Sequence, residues 1–227
     1  MEVNPKKPEG IIFINKPRGI TSHDVVDVVR GRLKIRKVGH AGTLDPLAEG
    51  LLIVLVGNYT KLFPKFVGFD KEYAGILKLG QVTSTGDSQG QIISESDFTS
   101  LSEEDVRETF ALFQGEMDQI PPMVSAVRVK GNRLYNLARK GITIKRSPRK
   151  INIYKLTISK INFPFVEFIV HCSKGTYVRK LAEDIGEKLG CGAHMTKILR
   201  LKIGEFKLEE AVDLEHFDQS HLKQITL

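Results

Sequence analysis

Gly39-His-Ala-Gly-Thr-Leu-Asp45-Pro-Leu-Ala-Glu-Gly50, followed at once by Leu51-Leu-Ile-Val-Leu-Val56, is the stretch on which the fold of this chain turns. The first twelve residues read as a glycine-punctuated loop with one carboxylate, Asp45, and one imidazole, His40. The next six read as a buried strand. A loop that ends where a hydrophobic strand begins holds its side chains on a rigid edge, and chemistry tends to sit on such edges. A local reading covers the same residues: Asp45 as a helix N-cap with Pro46 at the first helical position, Leu47-Ala48-Glu49 as one helical turn, and Gly50 as its stop. The two readings are compatible, because a short turn after Asp45 aims its carboxylate outward.

Working outward from the loop, residues 10–14 read as a strand running into the turn Asn15-Lys-Pro-Arg-Gly19. Thr21-Ser-His-Asp24 is a capping box that opens a helix with Val25, Val29 and Leu33 on one face. Residues 71–79 alternate, with Tyr73, Gly75, Leu77 and Leu79 on one side, which fixes Tyr73 on a strand. A polar loop over 81–91 contains Asp87, and a helix capped by Ser102 carries Val106, Phe110 and Phe113. Beyond Pro121-Pro122 the pattern predicts a strand over 124–129 and a short basic helix over 133–140, stopped by Gly141. Two strands over 151–161 and 165–172, a helix over 177–189 and a last strand over 195–203 complete the chain. Strands and helices mix without a regular βαβ alternation. This predicts an α+β fold with a mixed, largely antiparallel sheet flanked by helices, in one domain of residues 1–227.

Composition narrows the class. The 227 residues, 41% hydrophobic, are enough to fill a core. The longest apolar run, residues 51–56, is far short of the ~20 residues of a membrane span. The N-terminus has no apolar signal core, and two cysteines, Cys172 and Cys191, are too few for a disulfide framework, so the expected compartment is the cytoplasm. A zinc site on His171 and Cys172 is excluded by geometry, since neighbours on a strand point to opposite faces.

Charge is unevenly placed along the chain. Residues 119–166 contain no Asp or Glu but eleven Lys or Arg, among them Arg146 and Arg149, whereas residues 83–118 hold nine acids against Arg107 alone. A second basic run, Arg30 to Lys37, leads into the His40/Asp45 loop. An acid-free stretch of this length points to a polyanionic partner, and nucleic acid fits better than a membrane surface because no long basic helix carries a bulky aromatic face. The basic region, about 119–150, reads as an insertion folded over the sheet.

Asp45 by itself could be a nucleophile, a general base or a metal ligand. Metal-dependent phosphoryl chemistry, as in a nuclease, needs clustered carboxylates, and no acidic partner flanks Asp45 at helical or strand spacing. Covalent catalysis asks for one ionised carboxylate, a cation to keep it so and a pocket that excludes water. Arg179, after Lys174-Gly-Thr-Tyr-Val and near the start of a helix, is a candidate cation, although Glu183 four residues on could be its partner instead. Tyr73 could equally be a core residue, and His40 an ordinary loop histidine.

Asn-Lys16-Pro-Arg-Gly, the 39–50 loop, Lys-Glu-Tyr73, Thr-Ser-Thr-Gly-Asp87, Gln119-Ile-Pro-Pro-Met-Val-Ser-Ala and Cys-Ser-Lys-Gly-Thr-Tyr177-Val-Arg179 occur in the order found in tRNA pseudouridine synthases of the TruB family. Over about residues 10–206 the chain resembles that family. The resemblance implies the pseudouridine synthase fold and isomerisation of uridine 55 in the T-loop of tRNA, with base flipping and with neither cofactor nor metal. It implies Asp45 as the catalytic aspartate, Tyr73 packed on the uracil and assisting proton removal, and Arg179 paired with Asp45. His40 would enter the space left by the flipped base, Lys16, Asp87 and Tyr177 would belong to the substrate pocket, and Arg146 and Arg149 would bind the RNA. The implied partner is the T-arm of tRNA, with no membrane and no obligate protein partner. Bacterial members commonly continue into a PUA-type RNA-binding domain, and none is recognisable in the roughly twenty residues after Phe206. Guide-directed relatives of dyskerin normally have that domain. An RNA chaperone without chemistry would need the basic surface but not Asp45, Tyr73 and Arg179 together.

Overall fold

The structure, a computed structural model, describes residues 8–125, 128–129, 131–139 and 141–225. The signal-sequence reading at 1–7 and the parts of the predicted strand and helix that fall on 126, 127 and 140 lie outside the described residues. In chain order the elements are β1 (Gly10–Lys16), α1 (Ser22–Leu33), β2 (Val38–His40), β3 (Glu49–Val56), α2 (Phe63–Val67), β4 (Lys71–Leu79), β5 (Gln81–Thr83) and β6 (Ile92–Glu95). There follow α3 (Glu103–Ala111), β7 (Gly115–Gln119), β8 (Arg128–Val129), β9 (Asn132–Arg133), α4 (Leu134–Arg139), β10 (Arg149–Asn162) and β11 (Phe165–Cys172). The chain closes with α5 (Val178–Lys188), β12 (Ala193–Ile203), β13 (Phe206–Lys207) and β14 (Val212–Asp213). Helices combined with mixed, largely antiparallel strands give the α+β class. The residues form two compact units, Met1–Lys71 with Leu199–Leu227, and Glu72–Ile198.

In the first unit β1 lies antiparallel to β3, from Gly10 opposite Val56 to Lys16 opposite Gly50, with β14 parallel on the outer side of β1. The end of β12 pairs in parallel with the start of β3, Leu199 with Glu49 and Arg200 with Gly50. Because side chains alternate across a strand, the unbroken apolar run of β3 feeds two cores. Leu52, Val54 and Val56 pack with Ile12, Ile14 and the Val25, Val26 and Val29 stripe of α1. Leu51, Ile53 and Leu55 pack with Ile11, Phe13, Phe66 and Phe206. The capping box of α1 is formed as its sequence predicts: the Asp24 N–H donates to Thr21 Oγ1 and the Thr21 N–H to Asp24 Oδ2.

Gly50 and Lys16 are among the positions in this unit that depart from apolar filling. Gly50 has φ +100°, and a Cβ added there would lie 2.5 Å from the Arg200 carbonyl oxygen and 2.9 Å from its nitrogen. Glycine is required because β12 approaches too closely for any side chain. Lys16, the last residue of β1, has no exposed surface, and its ammonium donates to the carbonyls of Pro17 (2.9 Å) and Ile20 (2.8 Å), drawing the 17–20 turn over itself. Burial pushes its pKa down to about 8, against the opposing pull of the Asp45 and Glu49 carboxylates.

The second unit orders its strands β12-β4-β11-β10-β7. β10 and β11 form a long antiparallel ladder, and β7 adds to β10 with Gln119 opposite Arg149. Val106 and Phe110 of α3 are buried, the Phe110 ring meeting Phe168 edge-on at 5.8 Å, and Leu181, Ala182 and Ile185 of α5 are buried as well. Several elements went beyond the sequence pattern. β5 and β6 pair as a hairpin across the predicted polar loop, and every residue of β6 is exposed, so no alternation marks it. β7, Gly-Glu-Met-Asp-Gln, is polar for the same reason. The strand predicted over 124–129 is confined among described residues to β8, because Val124 and Ser125 lie in a bend.

Two measurements follow from the lysine and the glycine. Gly50→Ala is expected to destabilise the protein by at least about 1–3 kcal/mol, from backbone strain before any clash with β12 is counted; an unchanged thermal midpoint would contradict the close approach. Between pH 8 and 10.5 the unfolded chain keeps a proton at residue 16 that the folded chain has shed, so this group makes stability rise with pH there. The midpoint of the wild-type protein relative to Lys16→Met should therefore climb across that window, and a flat difference would show that Lys16 is not held in a desolvated site.

Candidate active site

The loop that presents Asp45 is fixed through its backbone. Ser22, the first residue of α1 and 1% exposed, receives the Leu44 N–H at its Oγ (2.8 Å) and donates that hydroxyl to the Leu44 carbonyl (3.0 Å). On the other side, the Gly19 N–H donates to the Pro46 carbonyl (2.8 Å), and the Ala48 N–H closes a tight turn onto the Asp45 carbonyl (3.0 Å). Leu44 and Leu47 are buried, while Asp45 and Pro46 between them are half-buried. The helical turn expected over 47–49 is not formed: Glu49 and Gly50 already belong to β3, so the residues after Pro46 have room only for a turn. Gly50 admits the backbone of Arg200; it does not stop a helix.

Arg200 supplies the remaining restraint. It is 1% exposed, and its guanidinium donates to the carbonyls of Leu51 (2.7 Å), Gly42 (3.2 Å) and Thr43 (3.5 Å). Lys16 lies near enough to this loop that Asp45 is the strongest of the charges favouring its protonated form, followed by Glu49. His40 is half-buried and sits on β2 opposite Val54, so its backbone is part of a ladder, not of the loop.

The other predicted residues belong to the second unit. Tyr73 occupies the β4 alternation and is half-buried, whereas Leu77 and Leu79 on the same side are fully buried. Arg179, on the first turn of α5 and 3% exposed, donates to the carbonyls of Thr85 (2.5 Å) and Val124 (2.8 Å), with its Nε 3.8 Å from Asp87 Oδ2. Asp87 is itself buried and accepts from Thr85 Oγ1 (2.6 Å) and the Gln89 N–H (3.0 Å). Glu183, the alternative partner for Arg179, lies 3.4 Å from Lys180 Nζ. Burial holds the Glu183 carboxyl above its ordinary range despite that lysine.

Tyr177 is the N-cap of α5 and makes no side-chain cap. Gln119 holds its backbone instead of capping the helix: the Gln119 Oε1 accepts the Tyr177 N–H (2.8 Å) and its Nε2 donates to the Tyr177 carbonyl (3.1 Å). The Gln119-Ile-Pro-Pro-Met-Val-Ser stretch thus serves as a clasp. Gln119 holds Tyr177, the Val124 carbonyl holds Arg179, and the Pro121 carbonyl receives Arg146 (3.2 Å). Arg149 and Lys150 are exposed at the start of β10.

Sequence reasoning missed Ser22, Arg200 and Gln119 as functional supports. Gln119 was signalled by heading a quoted motif. Ser22 was hidden inside a capping box that already explained it, and Arg200 takes an inward place two residues after buried Ile198, where a charge demands a reason. Among the described residues, no three His, Cys, Asp or Glu side chains cluster as metal ligands. His171 packs its ring on Tyr154 at 4.9 Å, while Cys172 is fully buried.

Comparison with known proteins bears on both units. Residues 30–178 match the TruB family pseudouridylate synthase N-terminal domain, and residues 179–225 match the tRNA pseudouridylate synthase B C-terminal domain. The chain is 47% identical to a tRNA pseudouridine synthase B of Clostridium tetani, over 96% of this chain and 75% of that protein. It is 40% identical to one of Opitutus terrae, over 98% of this chain and 93% of that protein. A chain in the crystal structure of a Cbf5-Nop10-Gar1 complex superposes with a TM-score of 0.72 at 31% identity, covering 91% of this chain. This chain spans 52% of that chain's length. With matched segments running through the Asp45 loop, the Gln119 clasp and the Arg179 helix, the chain belongs to the TruB family of pseudouridylate synthases, which are isomerases.

Proposed function

We propose that this chain converts uridine 55 in the T-loop of tRNA to pseudouridine, with Asp45 as the catalytic carboxylate. The observation that carries the reading is the carboxylate of the motif loop, fixed through its backbone on both sides, in a chain 47% identical to a tRNA pseudouridine synthase B. The reaction breaks the bond from N1 of uracil to C1′ of the ribose, turns the base and joins C5 to C1′. The proton lost from C5 is balanced by one gained at N1. No electrons are gained or lost overall, so carboxylate chemistry suffices without a redox group.

In this reading Asp45 either attacks the target nucleotide or removes a proton from it. Tyr73 packs on the uracil and assists loss of the C5 proton, and Arg179 is the cation that pairs with Asp45. His40 fills the space the base vacates, offsetting an unstacking cost of a few kcal/mol. Tyr177 lines the pocket. Asp87 orients Arg179, and Lys16, which has no exposed surface, acts through its charge and the turn it holds, without touching the base. Arg146 and Arg149, with Lys150 next to Arg149, bind phosphates of the folded arm, whose shape is read more than its sequence. The reaction belongs in the cytoplasm and needs neither a membrane nor an obligate protein partner; no helix among the described residues is long and apolar enough to cross a membrane. A guide-directed target is the second reading, and the tRNA reading is favoured because the chain is 47% identical to a protein named tRNA pseudouridine synthase B against 31% for the chain of the Cbf5-Nop10-Gar1 complex.

tRNA tritiated at uracil C5 tests this directly, since isomerisation releases tritium and mapping the product locates the nucleotide. Asp45→Asn should abolish release while leaving tRNA binding intact, because the amide keeps the shape but is neither nucleophile nor base. Retention of more than a few per cent of the activity would contradict the assignment. Affinity for tRNA should fall steeply with salt, and Arg149→Gln with Lys150→Gln should flatten the slope of log affinity against log salt by up to about 2. An unchanged slope would show that these residues do not meet RNA.

A further inference from the structure

Arg200 stands outside every motif that carries the family resemblance, yet more donors of this one side chain than of any other described above reach the Asp45 loop. Its backbone is fixed in β12 by parallel pairing with Gly50, the second residue of β3. Its guanidinium then bonds Leu51, the next residue of β3 just past the far end of the loop, and Gly42 and Thr43 at the near end. One planar group thus ties both ends of a segment that has Asp45 near its middle. Arginine suits this because its donors form a rigid fork that addresses separate acceptors at once, which a lysine point charge cannot do.

The burial is informative. A guanidinium that is 1% exposed has given up hydration that carbonyl partners only partly replace, so joining two backbone segments would be better served by a neutral amide unless the charge has a use. Lys16, the other fully buried cation of this unit, is close enough to interact with Arg200, Asp45 and Glu49 alike. Two buried cations beside this loop repel each other, and the ionised Asp45 carboxylate, with Glu49 beside it, offsets that repulsion while it is held near them.

We infer that Arg200 is a positioning residue for the isomerisation, holding the backbone on both sides of Asp45 so that its carboxylate stands at the reacting nucleotide before RNA arrives. This rests on the reading of Asp45 as the catalytic carboxylate. Arg200 touches neither base nor ribose, so its loss should act on turnover and not on RNA recognition.

The test compares wild-type, Asp45→Asn, Arg200→Lys and Arg200→Ala proteins for kcat, KM for tRNA and thermal midpoint. Arg200→Ala should lose about 100-fold in kcat, the scale of a small misplacement of a reacting group, with KM unchanged. Arg200→Lys should fall between it and wild type. Guanidinium ion, below concentrations that move the midpoint, should restore part of the kcat of Arg200→Ala and none of that of Asp45→Asn. If Asp45→Asn is inactive while the Arg200 variants turn over like wild type, the inference is overturned and the assignment of Asp45 stands. If Asp45→Asn remains active, that assignment itself falls. A rise in KM with kcat preserved, or loss of folding in both Arg200 variants at the assay temperature, would place Arg200 in RNA binding or in the fold at large and overturn the inference.

Discussion

The bonds from Ser22, Gly19 and Arg200 to the backbone of residues 42–51 are the constraint on which the rest depends. A surface loop rich in glycine has many conformations available, and a carboxylate on such a loop would spend little time in any one of them. Here Ser22 takes both backbone groups of Leu44, the Gly19 N–H takes Pro46, and Arg200 takes Gly42, Thr43 and Leu51. Hydrogen bonds from a charged donor contribute about 1.5–3 kcal/mol each, so those of Arg200 alone can outweigh the ordering entropy of several residues. The donors sit on α1, on the β1 turn and on β12, elements whose apolar faces are buried. Core packing is thereby converted into the placement of one side chain.

Each unit uses the same device. In the first, Arg200 joins the carbonyls at the two ends of the Asp45 loop; in the second, Arg179 joins the Thr85 and Val124 carbonyls and lies beside Asp87. Both guanidinium groups are nearly fully buried, and both bond carbonyls outside the strands and helices, Gly42 and Thr43 for Arg200 and Thr85 and Val124 for Arg179, with Arg200 also reaching Leu51 of β3. Gln119 does at the N-terminus of α5 what Ser22 does beside Asp45, satisfying an N–H and a C=O of one residue with one side chain.

What the sequence disclosed follows the same division. The β3 run, the α1 capping box, the Ser102 cap of α3 and the Tyr73 alternation were legible because each is a local pattern with a period or a spacing. β6 and β7 were not: every residue of β6 is exposed, so no hydrophobic period marks it, and β7 is polar and owes its form to β10, about thirty residues further along the chain. The Asp45-Pro46 dipeptide was ambiguous for a related reason: turn and helix share those residues, and only the ladder of β3 with β1 leaves room for the turn alone. Ser22 and Arg200 act across 22 and more than 140 residues of sequence, and no spacing rule reaches that far. The order of motifs, by contrast, placed Asp45, Tyr73, Asp87 and Arg179 in one family.

Native-state hydrogen exchange in the RNA-free protein, read at the amides of Gly19, Leu44 and Ala48, bears most directly on whether the Asp45 loop is built in advance. These three N–H groups donate to Pro46, to the Ser22 hydroxyl and to Asp45, and so report the fixed loop without any substitution. Protection approaching that of the β3 amides, and unchanged when tRNA is added, is the predicted result. Exchange at the rate of an open loop, with protection appearing only on RNA binding, would contradict the account.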